Sequence, residues 1–206
     1  MIIREVTRSP ITTRRYLPRR SSEVIGHTTD RIHIFNHSIG KRFSSYQRVV
    51  LTLTKMEAFT IRTPASSANI GPGFDVIGLA LSLYLELKVT IDRSKKSSEQ
   101  PLNCRITYEG EGPEDVPLDP SANLITRVAL YVLRCHDQRA FPVETHVHIV
   151  NPIPLGRGLG SSGAAVVAGV MLGKQVGGLH HLDDKRLFDF CLMIGKWALP
   201  RAPNKP

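Results

Sequence analysis

Pro152-Ile153-Pro154-Leu155-Gly156-Arg157-Gly158-Leu159-Gly160-Ser161-Ser162-Gly163-Ala164-Ala165 reads as a glycine- and serine-rich loop that opens a helix of small residues. Glycines spaced this closely allow positive φ and let the backbone approach a ligand with no Cβ in the way. The helix that begins after them offers unpaired N–H groups and the positive end of its dipole, so an anion such as phosphate is the natural occupant. No Gly-Lys-Ser or Gly-Lys-Thr stands at the offset of a Walker A loop, and the neighbouring cation, Arg157, precedes the serines. Gly158, Gly160 and Gly163 also match G-x-G-x-x-G, with Asp183 about 20 residues further on. A dinucleotide fold runs from its strand directly into the glycines, however, whereas Pro152 to Arg157 intervene here. Ala164 to Leu172 is almost wholly small and apolar, which suits a helix buried against a sheet. It falls short of the roughly 18 apolar residues that a membrane span requires.

Working outward from the loop, Val143, Thr145, Val147 and Ile149 alternate as a strand that delivers the chain into it. Upstream, Leu124, Val128, Tyr131, Val132 and Cys135 fall at helical spacing after Asn123, predicting an amphipathic helix over 124–136. Cys104, Ile106 and Tyr108 predict a strand before turn-forming residues in 110–120. Every second residue from Leu79 to Ile91 is apolar, a strand long enough to need a bend or bulge. Beyond the loop helix, Asp183 or Asp184 can cap a further helix running through Leu187, Phe188, Cys191 and Leu192. Strands first, then helices interleaved with strands, indicate an α+β layer structure.

The formal net charge of +9 is unevenly distributed along the 206 residues. Residues 1–55 hold 11 Lys+Arg against 3 Asp+Glu, residues 56–194 hold 13 against 15, and residues 195–206 hold 3 against none. The central segment, nearly neutral, is one domain in size. Residues 1–55 are Arg- and Ser-rich without sustained apolar periodicity, so little packed structure is expected there. An organelle transit peptide, a nucleic-acid-binding arm and translated upstream sequence ahead of Met56 all fit that composition. Cys104, Cys135 and Cys191 are widely spaced with no Cys-x-x-Cys pair and read as reduced core cysteines. The pair His146 and His148, and His180 and His181 beside Asp183 and Asp184, lack metal-site spacing and read as solvated polar positions.

A second polar, glycine-shaped segment, Pro64-Ala65-Ser66-Ser67-Ala68-Asn69-Ile70-Gly71-Pro72-Gly73-Phe74-Asp75, precedes the long strand. It is either a tight turn or a recognition loop, in which Asn69 supplies an amide and Asp75 a carboxylate able to pair with an ammonium group. Together, this segment and Pro154 to Ala164 resemble the GHMP small-molecule kinases, and within them the homoserine kinases of fungal type. The second motif marks the superfamily and the first narrows it; the resemblance spans about residues 57–194 and covers neither end.

The resemblance implies the N-terminal domain of the GHMP kinases, a mostly antiparallel sheet with helices on one side, similar to domain 2 of ribosomal protein S5. It implies transfer of the ATP γ-phosphoryl group to the side-chain hydroxyl of L-homoserine. Pro154, Leu155, Gly156, Arg157, Gly158, Leu159, Gly160, Ser161, Ser162, Gly163 and Ala164 would then wrap the triphosphate, with Ser162 helping to hold Mg²⁺. Asn69 and Asp75 match positions that contact the amino acid, and Asn123 is a further candidate on the nucleotide side. Such catalysis rests on positioning and charge neutralisation, so no general base is assigned. Another GHMP kinase, such as one acting on mevalonate, and a basic nucleic-acid-binding protein are the alternatives. A cytoplasmic, membrane-free enzyme is expected, or an organellar one if residues 1–55 are a transit peptide; a homodimer is compatible with the sequence.

After Ile194 the resemblance ends. Homoserine kinases continue into a segment that supplies a magnesium-binding glutamate, whereas this sequence reads Gly195-Lys196-Trp197-Ala198-Leu199-Pro200-Arg201-Ala202-Pro203-Asn204-Lys205-Pro206. The expectation is an N-terminal domain over 56–194, a non-family tail over 195–206, and no C-terminal domain. Little or no turnover is expected of such a polypeptide by itself, because Ser162 lacks its carboxylate partner at the metal.

Overall fold

A period of two fixes which face of each strand is covered, and the sheet follows from it. The computed structural model describes residues 5–9, 56–68, 71 and 76–198. Its strands are β1 (Glu5–Ser9), β2 (Met56–Ala68), β3 (Gly78–Asp92), β4 (Cys104–Gly110) and β5 (Glu144–Asn151), and its helices are α1 (Leu124–Arg134), α2 (Ser161–Val176) and α3 (Asp184–Ala198). The strands form one sheet in the order β1-β2-β3-β5-β4. Phe59, Ile61 and Ala65 of β2, Leu85, Leu87, Val89 and Ile91 of β3, Ile106 of β4, and Val147 and Ile149 of β5 are buried in a single core with residues of all three helices. Their neighbours on the opposite face are mostly polar. There Arg62 meets Glu86, its cross-strand partner, at 2.8 Å and stacks over the Tyr84 ring at 4.5 Å.

The long strand carries the expected irregularity. Pro64 pairs with Tyr84 but Ala65 with Leu81, so Ser82 and Leu83 are extra on β3. Below this bulge the alternating residues are buried, while above it Leu79 is half exposed. The bend therefore lifts the β2–β3 tip away from the core. All pairings are antiparallel except β4 with β5, which run parallel and are joined across α1 as a β-α-β crossover. The reading of residues 1–55 as largely unpacked gives way at Glu5–Ser9, which pair along β2 from Arg62 to Ala58. The open edge of β2 offers unpaired backbone groups to any extended segment, a property that periodicity within residues 1–55 does not reveal. Residues 10–55 and the tail 199–206 lie outside the described residues.

Helix α1 buries Ile125, Val128, Ala129, Val132 and Leu133, the i, i+3, i+4, i+7, i+8 stripe of an amphipathic helix. Helix α2 is buried along most of its length and lies on β2 and β3 between α1 and α3. Two glycines set how near α1 comes. A Cβ on Gly169 would stand 2.5 Å from the Ile125 carbonyl oxygen and 2.7 Å from Val128 Cβ, and one on Gly173 would stand 2.9 Å from the Ala129 carbonyl oxygen. Helix α3 starts where expected, with Asp183 Oδ1 accepting the Arg186 N–H at 2.8 Å.

None of the three cysteines is in a disulfide, and they are not all core residues. Cys104 is buried, and burial pushes its thiol up to about 12. Cys191 is partly packed, and Cys135 is exposed because it follows the last turn of α1 on the solvent side. The expected helix face thus placed Cys135 one turn too far inside. His146 and His148 stand on the open face of the sheet, both within hydrogen-bonding distance of Thr107 Oγ1, at 3.2 and 2.9 Å. Among the described residues no group of three or more His, Cys, Asp or Glu could hold a metal ion.

Two outcomes follow from this packing. Gly169→Ala drives a methyl into the α1 backbone and lowers unfolding free energy by about 1–3 kcal/mol in urea titrations, with Gly173→Ala milder. At pH 8, a thiol reagent labels Cys135 on mixing while Cys104 reacts only as the protein unfolds; prompt labelling of Cys104 would contradict its burial.

Candidate functional site

The chain leaves β5 at Asn151 and enters α2 at Ser161, and the nine residues between form the loop. Gly156, Gly158 and Gly160 all have positive φ, at 68°, 73° and 66°. At Gly156 and Gly158 nothing lies within 4 Å of where a Cβ would be, so glycine serves the backbone conformation there. At Gly160 the requirement is also one of space. A Cβ would fall 2.3 Å from Ser66 Oγ and 2.8 Å from the Ser66 carbonyl oxygen, because the loop lies directly against the end of β2. The Ser66 N–H completes this seam by donating to the Leu159 carbonyl at 3.0 Å.

The other end of the loop is held by Asn151, which is 4% exposed. Its Oδ1 accepts the Ile153 N–H at 3.2 Å, and its Nδ2 donates to Ser161 Oγ at 3.2 Å. Farther along α2, the buried Thr63 hydroxyl donates to the Ala164 carbonyl at 3.2 Å, which fixes the first turn of the helix to β2. The result is a cavity of about 460 Å³ lined by Ser66, Ala68 and Pro154 to Ser162.

The three helix starts differ in a way that matters for this cavity. Asn123 caps α1, accepting the Ile125 N–H at 3.0 Å, and Asp183 caps α3. The cap position of α2 is Gly160, and no side chain caps it. Ala164 N–H already bonds the Gly160 carbonyl at 2.9 Å, so the amides of Ser161, Ser162 and Gly163 are the donors left at this end. Among the described residues no carboxylate lines the cavity, and Arg157 stands exposed on its rim. Donors, a helix dipole and a cation suit this described wall to an anion.

The structure thus brings Pro154 to Ser162 together around one space. Gly163 lies exposed at the next position, while Ala164 is 4% exposed and engaged on both its N–H and its carbonyl. Asn123 is 2% exposed, its amide also donating to the Pro117 carbonyl at 2.9 Å, and it is not among the residues lining the cavity. Its capping role accounts for the signal read from sequence. Asn69 and Asp75 lie outside the described residues. Asn151, Ser66 and Thr63, which shape the site, escape sequence reading because each acts on a partner distant in the chain or buried beneath the motif; Asn151, two residues ahead of Ile153, carries an Asx-turn signal that could have marked it.

Comparison with known proteins places these features. The family model described as the GHMP kinases N-terminal domain matches residues 123–201. The homoserine kinase of Saccharomyces cerevisiae is 60% identical over 143 residues, covering 68% of this chain and 40% of that protein. The homoserine kinase of Candida albicans is 57% identical over 137 residues, covering 66% of this chain and 38% of that protein. The crystal structure of homoserine kinase from Cytophaga hutchinsonii superposes with a TM-score of 0.51 at 27% identity, over 68% of this chain and 41% of that one. The chain therefore spans about 40% of the length of the curated relatives it matches. By these likenesses the chain belongs to the GHMP kinases, in their homoserine kinase branch.

Proposed function

We propose that Pro154 to Ser162 cradle the triphosphate of ATP, and that the site serves transfer of its γ-phosphoryl group to the side-chain hydroxyl of L-homoserine, yielding O-phosphohomoserine. The observation that carries this reading is the start of α2, where no side-chain hydrogen bond caps the backbone donors and Ser161 and Ser162 line the cavity, while the starts of α1 and α3 are capped by side chains. The loop's backbone amides neutralise phosphate charge, and the glycines let it come close enough to do so. The names of the relatives supply the phosphoryl acceptor. Ala68, at the cavity wall, immediately precedes Asn69, and this supports assigning Asn69 and Asp75 to the amino acid's polar groups.

Magnesium finds a partial fit among the described residues. Ser162 offers a hydroxyl at the cavity, and the nucleotide's own phosphates complete the oxygen donors that this ion prefers. When bound, the ion neutralises phosphate charge; Ser162 would orient it, and the loop amides would keep the triphosphate fixed while the acceptor hydroxyl approaches. The cytoplasm is the proposed compartment. Among the described residues no helix is long and apolar enough to cross a membrane.

Titration of the 206-residue chain with ATP tests the reading directly: saturable, one-to-one binding is expected, and its absence would remove the assignment. Gly160→Ala, with its steric conflict at Ser66, weakens that binding about tenfold or more. Gly158→Ala, which costs about 1–2 kcal/mol of backbone strain without a clash, weakens it less. L-Homoserine, at a concentration far above its Kd, raises the unfolding temperature by ligand linkage while mevalonate does not. The reverse order would reassign the acceptor.

A further inference from the structure

Asn151 does more than end a strand. By taking the Ile153 N–H on Oδ1 it forms an Asx turn, and this fixes which end of its amide points toward α2. Its Nδ2 then donates to two hydroxyl oxygens, Ser161 Oγ at 3.2 Å and Tyr108 Oη at 3.4 Å. Tyr108 gives its own proton to the Glu111 carbonyl at 2.6 Å, and burial holds the phenol above its usual pKa, so it meets Asn151 as an acceptor. Ser161 is in the same position, with its oxygen occupied by an amide donor from beneath. A hydroxyl that accepts from one side keeps its single proton for another partner. Among the described residues nothing takes that proton, and Ser161 forms part of the cavity wall.

We propose that Asn151 is a positioning residue for phosphate binding: it holds the Ser161 hydroxyl by its oxygen, so that the proton is presented to a phosphate oxygen in the cavity. The inference rests on the reading of the loop as an ATP site. With Asn151 in place, the serine adds a fourth, directional donor to the three backbone amides of α2. Without it, the same hydroxyl is free to rotate and lend its proton elsewhere.

The test is a double-substitution cycle read by ATP titration without added metal, which keeps Ser162 and magnesium out of the measurement. Asn151→Ser retains a short hydroxyl able to close the turn to Ile153 but is too short to reach Ser161. We expect Asn151→Ser and Ser161→Ala each to weaken ATP binding about tenfold, the range of a hydrogen bond to a charged group. The double variant should be no weaker than Ser161→Ala alone, because Asn151 acts through Ser161. Unfolding temperatures measured beside the affinities identify a merely structural role: a fall in stability with affinity losses that multiply in the double variant overturns the inference. So does an unchanged affinity in Asn151→Ser. Should that variant not fold, Asn151→Ala enters the same cycle under the same criteria. Failure of the unsubstituted chain to bind ATP removes the phosphate site itself, and this inference with it; multiplied losses in a chain that does bind remove the inference alone.

Discussion

The Ser66 N–H to Leu159 carbonyl bond joins the end of β2 to the summit of the glycine loop, and the site's architecture hangs on it. The bond forms only because Gly160 has no side chain, since the Ser66 backbone and hydroxyl occupy the volume a Cβ would need. From that contact the start of α2 is placed over the last residues of β2, and Thr63 fixes the helix again one turn later through the Ala164 carbonyl. Helix α2 is then held laterally by α1, at a distance set by Gly169 and Gly173. The receptor end of the helix is thereby located by the sheet on one side and by a neighbouring helix on the other. Small residues recur at both places for the same reason: backbone must meet backbone.

Charge contributes to this site in a manner the overall balance conceals. The chain carries +9, but residues 56–194, which contain the loop, hold 13 Lys+Arg against 15 Asp+Glu. Attraction for an anion cannot come from a general positive field over such a segment. What the described residues offer an anion instead is the amide dipoles at the start of α2 and Arg157 at the cavity rim. These groups act at hydrogen-bond range, where low local polarity strengthens them, rather than across a Debye length.

Much of this was readable in the sequence, because the strongest signals are local. The alternation from Leu79 to Ile91, the helical spacing after Asn123, the cap before α3 and the glycines of the loop all depend on neighbours a few residues apart. What sequence concealed is long-range. The pairing of Glu5–Ser9 with β2 and the parallel docking of β4 on β5 are set by which edges remain open after folding. Asn123, a candidate on the nucleotide side, caps α1 and does not line the cavity; a residue that begins a helix and a residue that faces a ligand carry the same polar signature. Asn151 was passed over for the opposite reason: it looks like the polar end of a strand, and its importance arises from Ser161, ten positions later and directly above it.

A loop secured at both feet, by Asn151 at one and Ser66 at the other, has surrendered most of its conformational entropy during folding. Little ordering remains to be done when an anion arrives, so affinity is not eroded by that cost. For any ligand that docks on a loop held in this way, differences in affinity would be carried mainly by how long it stays rather than by how fast it arrives.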